Sequence, residues 1–118
     1  MRHSIPGFAR VALAVMLAVA ATAAQAVTEI QWWHAQTGGN NDKINALAKR
    51  FNESQSDYKV TAVYKGSYPE AMAAAIAAYR AGNAPHILQV FEVGTATMMA
   101  AKGAIKPVYE VMAEAGEK

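Results

Sequence analysis

The chain has 118 residues, of which 53% are hydrophobic and 17% are charged. This is the composition of a globular protein, and it excludes a disordered or collagen-like chain. The chain contains no cysteine, which excludes a disulfide framework, a thiol nucleophile and a thiolate metal site. Any fold that it adopts must therefore be held together by its core.

The first 26 residues have the pattern of a secretory signal peptide. Arg2 and Arg10 give a basic start, a run of apolar and small residues follows over positions 11–24, and Ala24 and Ala26 place small side chains where a signal peptidase reads them. A membrane anchor is the alternative, but a spanning helix needs about 20 apolar residues and this run is shorter. The sequence therefore predicts export to the periplasm, with cleavage after Ala26.

Removal of this segment changes the charge of the chain. Lys plus Arg falls from 11 to 9 because Arg2 and Arg10 leave, while Asp plus Glu stays at 9, so the formal net charge falls from +2 to zero. No Lys/Arg cluster remains in residues 27–118, and a nucleic-acid-binding surface would need one. We expect no nucleic-acid partner.

The first half of residues 27–118 reads as strand, helix, strand. Thr28–Trp33 is a short β-prone run, and Tyr58–Tyr64 is rich in β-branched and aromatic residues. Between them, Asn41–Phe51 has the i, i+3, i+4, i+7 spacing of one helix face, carried by Ile44, Leu47, Ala48 and Phe51. Asn41 is the predicted N-cap of this helix.

The second half reads as helix, strand and two further helices. An Ala-rich helix is predicted over Pro69–Ala81, because Pro is tolerated at a first helical position and Gly82 follows the end. Ile87–Phe91 is a near-continuous apolar run, which predicts a strand buried on both faces. A short helix is expected over Thr95–Lys102, and a last one from near Pro107.

This order, β-α-β-α-β-α, predicts an α/β fold with a parallel sheet and helices on both faces. In such sheets ligands bind beyond the carboxyl ends of the strands. That rule singles out Trp33 and His34 after the first strand, Tyr68 after the second and Glu92 after the third.

Each of these residues has a binding interpretation and a structural one. The Glu92 carboxylate can accept two hydroxyl hydrogen bonds from a polyol, or it can be a solvated loop charge. The Tyr68 hydroxyl can donate to a phosphate beside a helix N-terminus, or its ring can pack over the turn. Trp33 and His34 are candidates for lining a cleft, and His34 is also a candidate general base. No metal site is predicted, because His34, His86 and Glu92 lack ligand spacing.

Several strings in the chain are specific enough to carry a family resemblance, namely WWHAQTGG, LAKRFNESQSDYKV, VYKGSYPE and AAYRAGNAPHILQVFEVGTATMMAAKGAIKPVYEVM. They resemble the start of the periplasmic solute-binding proteins of ABC importers, in particular those that bind sn-glycerol 3-phosphate. The narrowest matches are YKGSY and QVFEVGTATMMA. The resemblance covers all of residues 27–118, and the loop over Gln36 to Asn41 is its least typical part.

The resemblance implies a class II periplasmic binding protein fold, with two lobes that close on a ligand. It implies that Tyr68 and Glu92 contact the ligand, and that glycerol hydroxyls are the partners of Glu92. Because the family is several times longer, residues 27–118 are expected to be the incomplete start of the N-terminal lobe. The expected partners are sn-glycerol 3-phosphate or a related polyol phosphate, and the membrane permease subunits. No cofactor is expected, and the protein is expected to be a monomer.

Two alternatives remain open from the sequence. The first is a binding protein for another sugar or polyol on the same fold. The second, from a different class, is a periplasmic hydrolase that uses His34 and Glu92. Titration without turnover would separate the binding proteins from the hydrolase, and competition between glycerol 3-phosphate and maltose would separate the two binding proteins.

Overall fold

A computed structural model describes residues 26–101 and 103–117 of the chain. The predicted signal peptide lies outside the described residues, apart from Ala26. Strands and helices alternate from the start, and two helices follow the last strand. Their bounds are β1 Thr28–His34, α1 Gly38–Ser54, β2 Tyr58–Tyr64, α2 Tyr68–Arg80, β3 Ile87–Leu88, α3 Glu92–Ala100 and α4 Val108–Glu114.

The described strands form one parallel sheet in the order β2-β1-β3. β1 and β2 pair over their full length, from Thr28 opposite Tyr58 to His34 opposite Tyr64. Parallel neighbours need a crossover between them, and α1 and α2 supply the two crossovers. The α/β class and the parallel sheet predicted from the sequence are confirmed.

Helices cover both faces of the sheet. On one face, Leu47 of α1 lies with Trp32 of β1 along an open apolar groove of about 500 Å³. On the other face, α2, β3 and α3 line a shared apolar cavity of about 330 Å³, to which they contribute Ala75, Leu88 and Met98 respectively. The side chains of β1 alternate between these faces, so consecutive residues of the strand serve different layers.

The helix α1 begins at Gly38, three residues before the predicted N-cap Asn41, and it follows the extended residue Thr37. Its buried residues are Ile44 and Ala48, as the spacing predicted. Leu47 and Phe51, predicted on the same face, are 53% and 44% exposed beside the open groove. The helix starts early because Gly38 adopts a φ of +53°, a value open to glycine at little cost, and carries the chain from the loop directly into the first turn.

The third strand is shorter than predicted. The sequence indicated a strand over Ile87–Phe91 buried on both faces, but β3 has two residues and the first is 42% exposed. On both sides of β3, side chains add hydrogen bonds to the main chain of β1. His86 Nδ1 accepts the main-chain N–H of Gln31 at 3.0 Å, and Gln89 Oε1 accepts that of Ala35 at 3.2 Å. The main chain stays bonded to β1 at the same two residues, because the N–H of His86 donates to the carbonyl oxygen of Gln31 at 3.1 Å and that of Gln89 donates to the carbonyl oxygen of Trp33 at 2.9 Å.

The strand β2 lies at an edge of the described sheet, and one side chain from α1 caps it. Asn52 Oδ1 accepts the main-chain N–H of Val60 at 2.7 Å, and Asn52 Nδ2 donates to the carbonyl oxygen of Val60 at 2.8 Å. Edge strands expose unpaired backbone groups that invite pairing with other chains. Asn52 removes one such pair of groups and also fixes α1 against β2.

Within residues 26–101 and 103–117, every helix is too short or too polar to span a bilayer.

Candidate functional site

The loops that follow the three parallel strands meet at one edge of the sheet. The loop after β1 carries Gln36, the turn after β2 leads into Tyr68, and the segment after β3 leads into Glu92. Parallel strands place all their carboxyl ends on the same edge, and this edge is where ligands bind in open α/β folds. We call it the rim, and it brings the predicted ligand residues Tyr68 and Glu92 to the same side of the molecule.

The turn before α2 determines where Tyr68 lies. Gly66 adopts a φ of +88°, which a glycine reaches without strain. Ser67 then caps the helix together with Glu70, whose Oε2 accepts the main-chain N–H of Ser67 at 2.7 Å and its hydroxyl at 2.8 Å. This capping box makes Tyr68 the first residue of α2, one position before the start predicted at Pro69.

The same capping contacts affect the ionisation of Glu70. The hydrogen bond from the main-chain N–H of Ser67 lowers the pKa of the Glu70 carboxyl, and the hydrogen bond from the Ser67 hydroxyl lowers it further. The charged form is therefore the one that the start of α2 favours.

The Tyr68 side chain is held by residues from the two neighbouring loops. Gln36 Nε2 donates a hydrogen bond to the Tyr68 hydroxyl at 2.6 Å. The Tyr68 ring stacks on that of Phe91, with a centroid separation of 5.3 Å and an angle of 26° between the planes. Because one contact comes from the loop after β1 and the other from the segment after β3, Tyr68 joins all three parts of the rim.

Glu92 begins α3, directly after the extended residue Phe91. The helix thus starts three residues earlier than the predicted Thr95. The Glu92 carboxylate is exposed in the first turn of α3, where a negative charge interacts favourably with the helix dipole. Since Phe91 stacks on Tyr68, the residue next to Glu92 is in direct contact with the other predicted ligand residue.

The close approach of Phe91 to α3 requires a residue without a side chain at position 94. A Cβ atom placed on Gly94 would lie 2.6 Å from Cε1 of Phe91 and 3.0 Å from Sδ of Met72. Gly94 is buried and has an ordinary negative φ, so close packing and not backbone conformation explains the glycine. The position of Phe91, and through it that of Tyr68, depends on this small residue.

His34 lies beneath the rim and is 1% exposed. Its ring centroid lies 6.4 Å from that of Trp32 and 6.1 Å from that of Tyr64, and its Nδ1 accepts the main-chain N–H of Gln36 at 3.3 Å. Burial lowers the pKa of His34 from its usual 6.5, so the ring is neutral near pH 7. In this structure His34 anchors the loop after β1 and offers almost no surface to a ligand.

Trp33 lies on the opposite face of β1 from His34 and is 8% exposed. The ammonium nitrogen of Lys65 lies 3.9 Å from the centroid of the Trp33 ring, a cation–π contact. The indole N–H of Trp33 donates to Oε1 of Gln31 at 3.0 Å. Lys65 therefore covers Trp33 where β2 ends, and this contact had no signal in the sequence.

The structure thus brings Tyr68 and Glu92 together at the rim and places Trp33 and His34 in the layers below it. Ligand contact by these four residues stays a prediction. Sequence reasoning missed Gln36 and Phe91, which position Tyr68. Phe91 was read as part of a buried strand, and Gln36 lies in a loop without periodicity, so no sequence signal marked either one. In the described part of the chain, no group of three His, Asp or Glu side chains is arranged to hold a metal ion.

A family profile and individual relatives both show similarity of this chain to solute-binding proteins. A profile of the bacterial extracellular solute-binding proteins matches residues 46–117. The sn-glycerol-3-phosphate-binding periplasmic protein of Agrobacterium fabrum is 59% identical over 91 residues, which are 77% of this chain and 21% of that protein. The proteins of the same name from Rhizobium meliloti and Pectobacterium atrosepticum are 58% identical over 93 residues and 57% identical over 105 residues. These matches cover 79% and 89% of this chain, and 22% and 23% of the two relatives.

The chain therefore spans about a fifth of the length of the curated relatives that it matches. The family match extends from the middle of α1 to the residues after α4, and so includes the turn before α2 and the segment that leads into α3. Since this match covers more than half of the chain, the chain belongs to the bacterial extracellular solute-binding protein family.

Proposed function

We propose that this chain is part of a periplasmic binding protein that captures sn-glycerol 3-phosphate and delivers it to an ABC importer. The observation that carries the proposal is the 57–59% identity to three relatives that share one name, the sn-glycerol-3-phosphate-binding periplasmic protein. In the proposal, residues 1–26 are a signal peptide that is cleaved after Ala26. Residues 27–118 then form the start of the N-terminal lobe.

The chemistry of the rim supports a polyol phosphate as the ligand. A carboxylate such as Glu92 accepts hydrogen bonds from two hydroxyl groups, which suits the adjacent hydroxyls of a glycerol unit. Tyr68 is the first residue of α2, and its phenolic hydroxyl can donate a hydrogen bond to a phosphate oxygen. Glu92 would therefore bind the glycerol hydroxyls and Tyr68 the phosphate, which are the two chemically different ends of one small ligand.

The proposed role is binding without catalysis. A hydrolase that used His34 as its general base would need the imidazole within hydrogen-bonding distance of the substrate or of one water molecule. The His34 ring is 1% exposed, and its Nδ1 is occupied by the N–H of Gln36. Both features favour a structural histidine.

The other parts of the proposal concern location and partners. The protein would act in the periplasm, as a monomer, and would dock on the membrane permease subunits with its ligand enclosed. N-terminal sequencing of periplasmic material checks the export step and should begin Val-Thr-Glu-Ile. A product that stays in the membrane with Met1 in place would refute cleavage.

Calorimetry on the full-length mature protein tests the proposed function. Titration with sn-glycerol 3-phosphate should give saturable one-to-one binding that a large excess of maltose does not displace. Phosphorus NMR of the same mixture should show the ligand unchanged after prolonged incubation. Displacement by maltose would favour a sugar-binding protein on the same fold, and release of inorganic phosphate would favour the hydrolase.

A further inference from the structure

The Gln36 side chain lies between two polar groups at the rim. Its Nε2 donates to the Tyr68 hydroxyl at 2.6 Å, and its Oε1 accepts from Nδ2 of Asn40 at 3.2 Å. Its main-chain N–H donates to the buried ring of His34 at 3.3 Å. Gln36 is thus fixed at its backbone and at both ends of its amide, although it lies in a loop.

The contact with Asn40 agrees with the orientation in which the Gln36 amide faces Tyr68. Oε1 accepts from Asn40, and the NH₂ group is the end directed at the Tyr68 hydroxyl. A phenolic oxygen both donates and accepts, so a hydroxyl that accepts from Gln36 keeps its own hydrogen for another partner. The stack on Phe91 fixes the ring, so this hydrogen can be redirected only by rotation about the C–O bond.

We infer that Gln36 is a positioning residue that makes Tyr68 a hydrogen-bond donor toward the ligand, so that Tyr68 selects an anionic oxygen such as that of a phosphate. The inference rests on the proposed function and deepens it. Without Gln36, the Tyr68 hydrogen can turn to water or to the loop, and part of the ligand's hydrogen bond is lost. Gln36 itself need not touch the ligand.

Gln36→Met is the variant that tests this inference, because methionine keeps the length of the side chain and removes both hydrogen bonds. We expect the affinity for sn-glycerol 3-phosphate to fall about threefold to tenfold, the range for one net hydrogen bond. In a Tyr68→Phe background, the same substitution should change the affinity by less than about twofold, because no hydroxyl remains to be oriented. Gln55→Met makes the same chemical change at the amino end of β2, on the opposite edge of the sheet from the rim, and its affinity should be that of the unmodified protein.

Gln36→Glu is the second variant, for use if Gln36→Met melts at a lower temperature. A carboxylate only accepts, so it would draw the Tyr68 hydrogen toward itself and lower the affinity further than Gln36→Met does. In the Tyr68→Phe background, Gln36→Glu should lower the affinity by less than it does when Tyr68 is present.

Three results would overturn the inference while leaving the proposed function intact. The first is an equal loss of affinity for Gln36→Met with and without Tyr68→Phe, and the second is no loss of affinity in either background. The third is an unchanged affinity for Tyr68→Phe alone. If the unmodified protein gives no heat with sn-glycerol 3-phosphate, the proposed function fails and the inference fails with it.

Discussion

The substitution Gly94→Ala tests how tightly the rim is packed. The added Cβ would lie 2.6 Å from Cε1 of Phe91 and 3.0 Å from Sδ of Met72. Real Cβ atoms do not approach a carbon atom at 2.6 Å, so the Phe91 ring must move. That ring stacks on Tyr68 at 5.3 Å, and its displacement therefore reaches the predicted ligand residue.

Two opposing effects set the magnitude. Overpacking a tight site costs about 1–3 kcal/mol, whereas replacing glycine by alanine inside a helix favours the helix by about 1 kcal/mol. We therefore expect Gly94→Ala to lower the free energy of unfolding by about 0–2 kcal/mol. Gly39→Ala is the matched control, because Gly39 also lies in a helix with an ordinary φ and its added Cβ would meet no atom within 4 Å. The control should be neutral or stabilising by up to about 1 kcal/mol.

Urea denaturation followed by tryptophan fluorescence measures both free energies, and calorimetry measures the affinity of each variant. We expect Gly94→Ala to be less stable than Gly39→Ala by about 1–3 kcal/mol and to bind sn-glycerol 3-phosphate more weakly than the unmodified protein. Equal stability of the two variants would show that Phe91 moves aside freely, and the packing argument for the rim would be refuted.

Three further predictions concern individual contacts. Burial lowers the pKa of His34 below its unfolded value of 6.5, so its contribution to stability is present above pH 6.5 and is lost as the pH falls through the folded pKa. His34→Asn should flatten the dependence of the free energy of unfolding on pH in that range, and an unchanged slope would contradict the burial argument. The pKa of Glu70 is also lowered, so the stability that it gives to the start of α2 is present above pH 4.5 and is lost at more acidic pH. Glu70→Gln should remove that loss, as followed by thermal melts in acid, and a variant with the same acid dependence would refute a capping role. Asn52→Leu removes both hydrogen bonds to Val60 and should cost about 1–3 kcal/mol, with faster amide exchange at Val60. Unchanged exchange there would show that the edge of β2 is protected in another way.

Local patterns in the sequence were sufficient to predict the layers of this fold. The strand Tyr58–Tyr64 was predicted with its observed bounds, since β-branched and aromatic residues fill it and turn residues bound it. The α/β class followed from the alternation of patterns, because parallel strands require crossovers. These features depend on the periods of two residues in strands and 3.6 residues in helices, and such periods can be recognised in a single sequence.

The errors arose where side chains at strand ends and in loops make specific hydrogen bonds. The third strand was predicted to extend to Phe91, but the main-chain bonds to β1 reach only Gln89, whose side chain also bonds to the loop after β1, and Phe91 already caps α3. No periodicity encodes these side-chain contacts. The contact between Gln36 and Tyr68 joins residues 32 positions apart through a loop. It depends on rotamers that become fixed only once the strands have brought the loops together. Residue types at the strand ends therefore indicated the rim, but its polar network could not be predicted.

The central claim is that Glu92 binds the ligand, and its replacement by alanine tests this most directly. If Glu92 only complements the dipole of α3, its removal should cost about 0.3–1 kcal/mol of stability and no affinity. If it accepts hydrogen bonds from the glycerol hydroxyls, calorimetry should show a loss of about 1–3 kcal/mol in binding free energy. Glu110→Ala is the control, because Glu110 occupies the first turn of α4. We predict weaker binding of sn-glycerol 3-phosphate for Glu92→Ala alone, with its melting temperature close to that of the control. Unaltered affinity in Glu92→Ala would contradict the account.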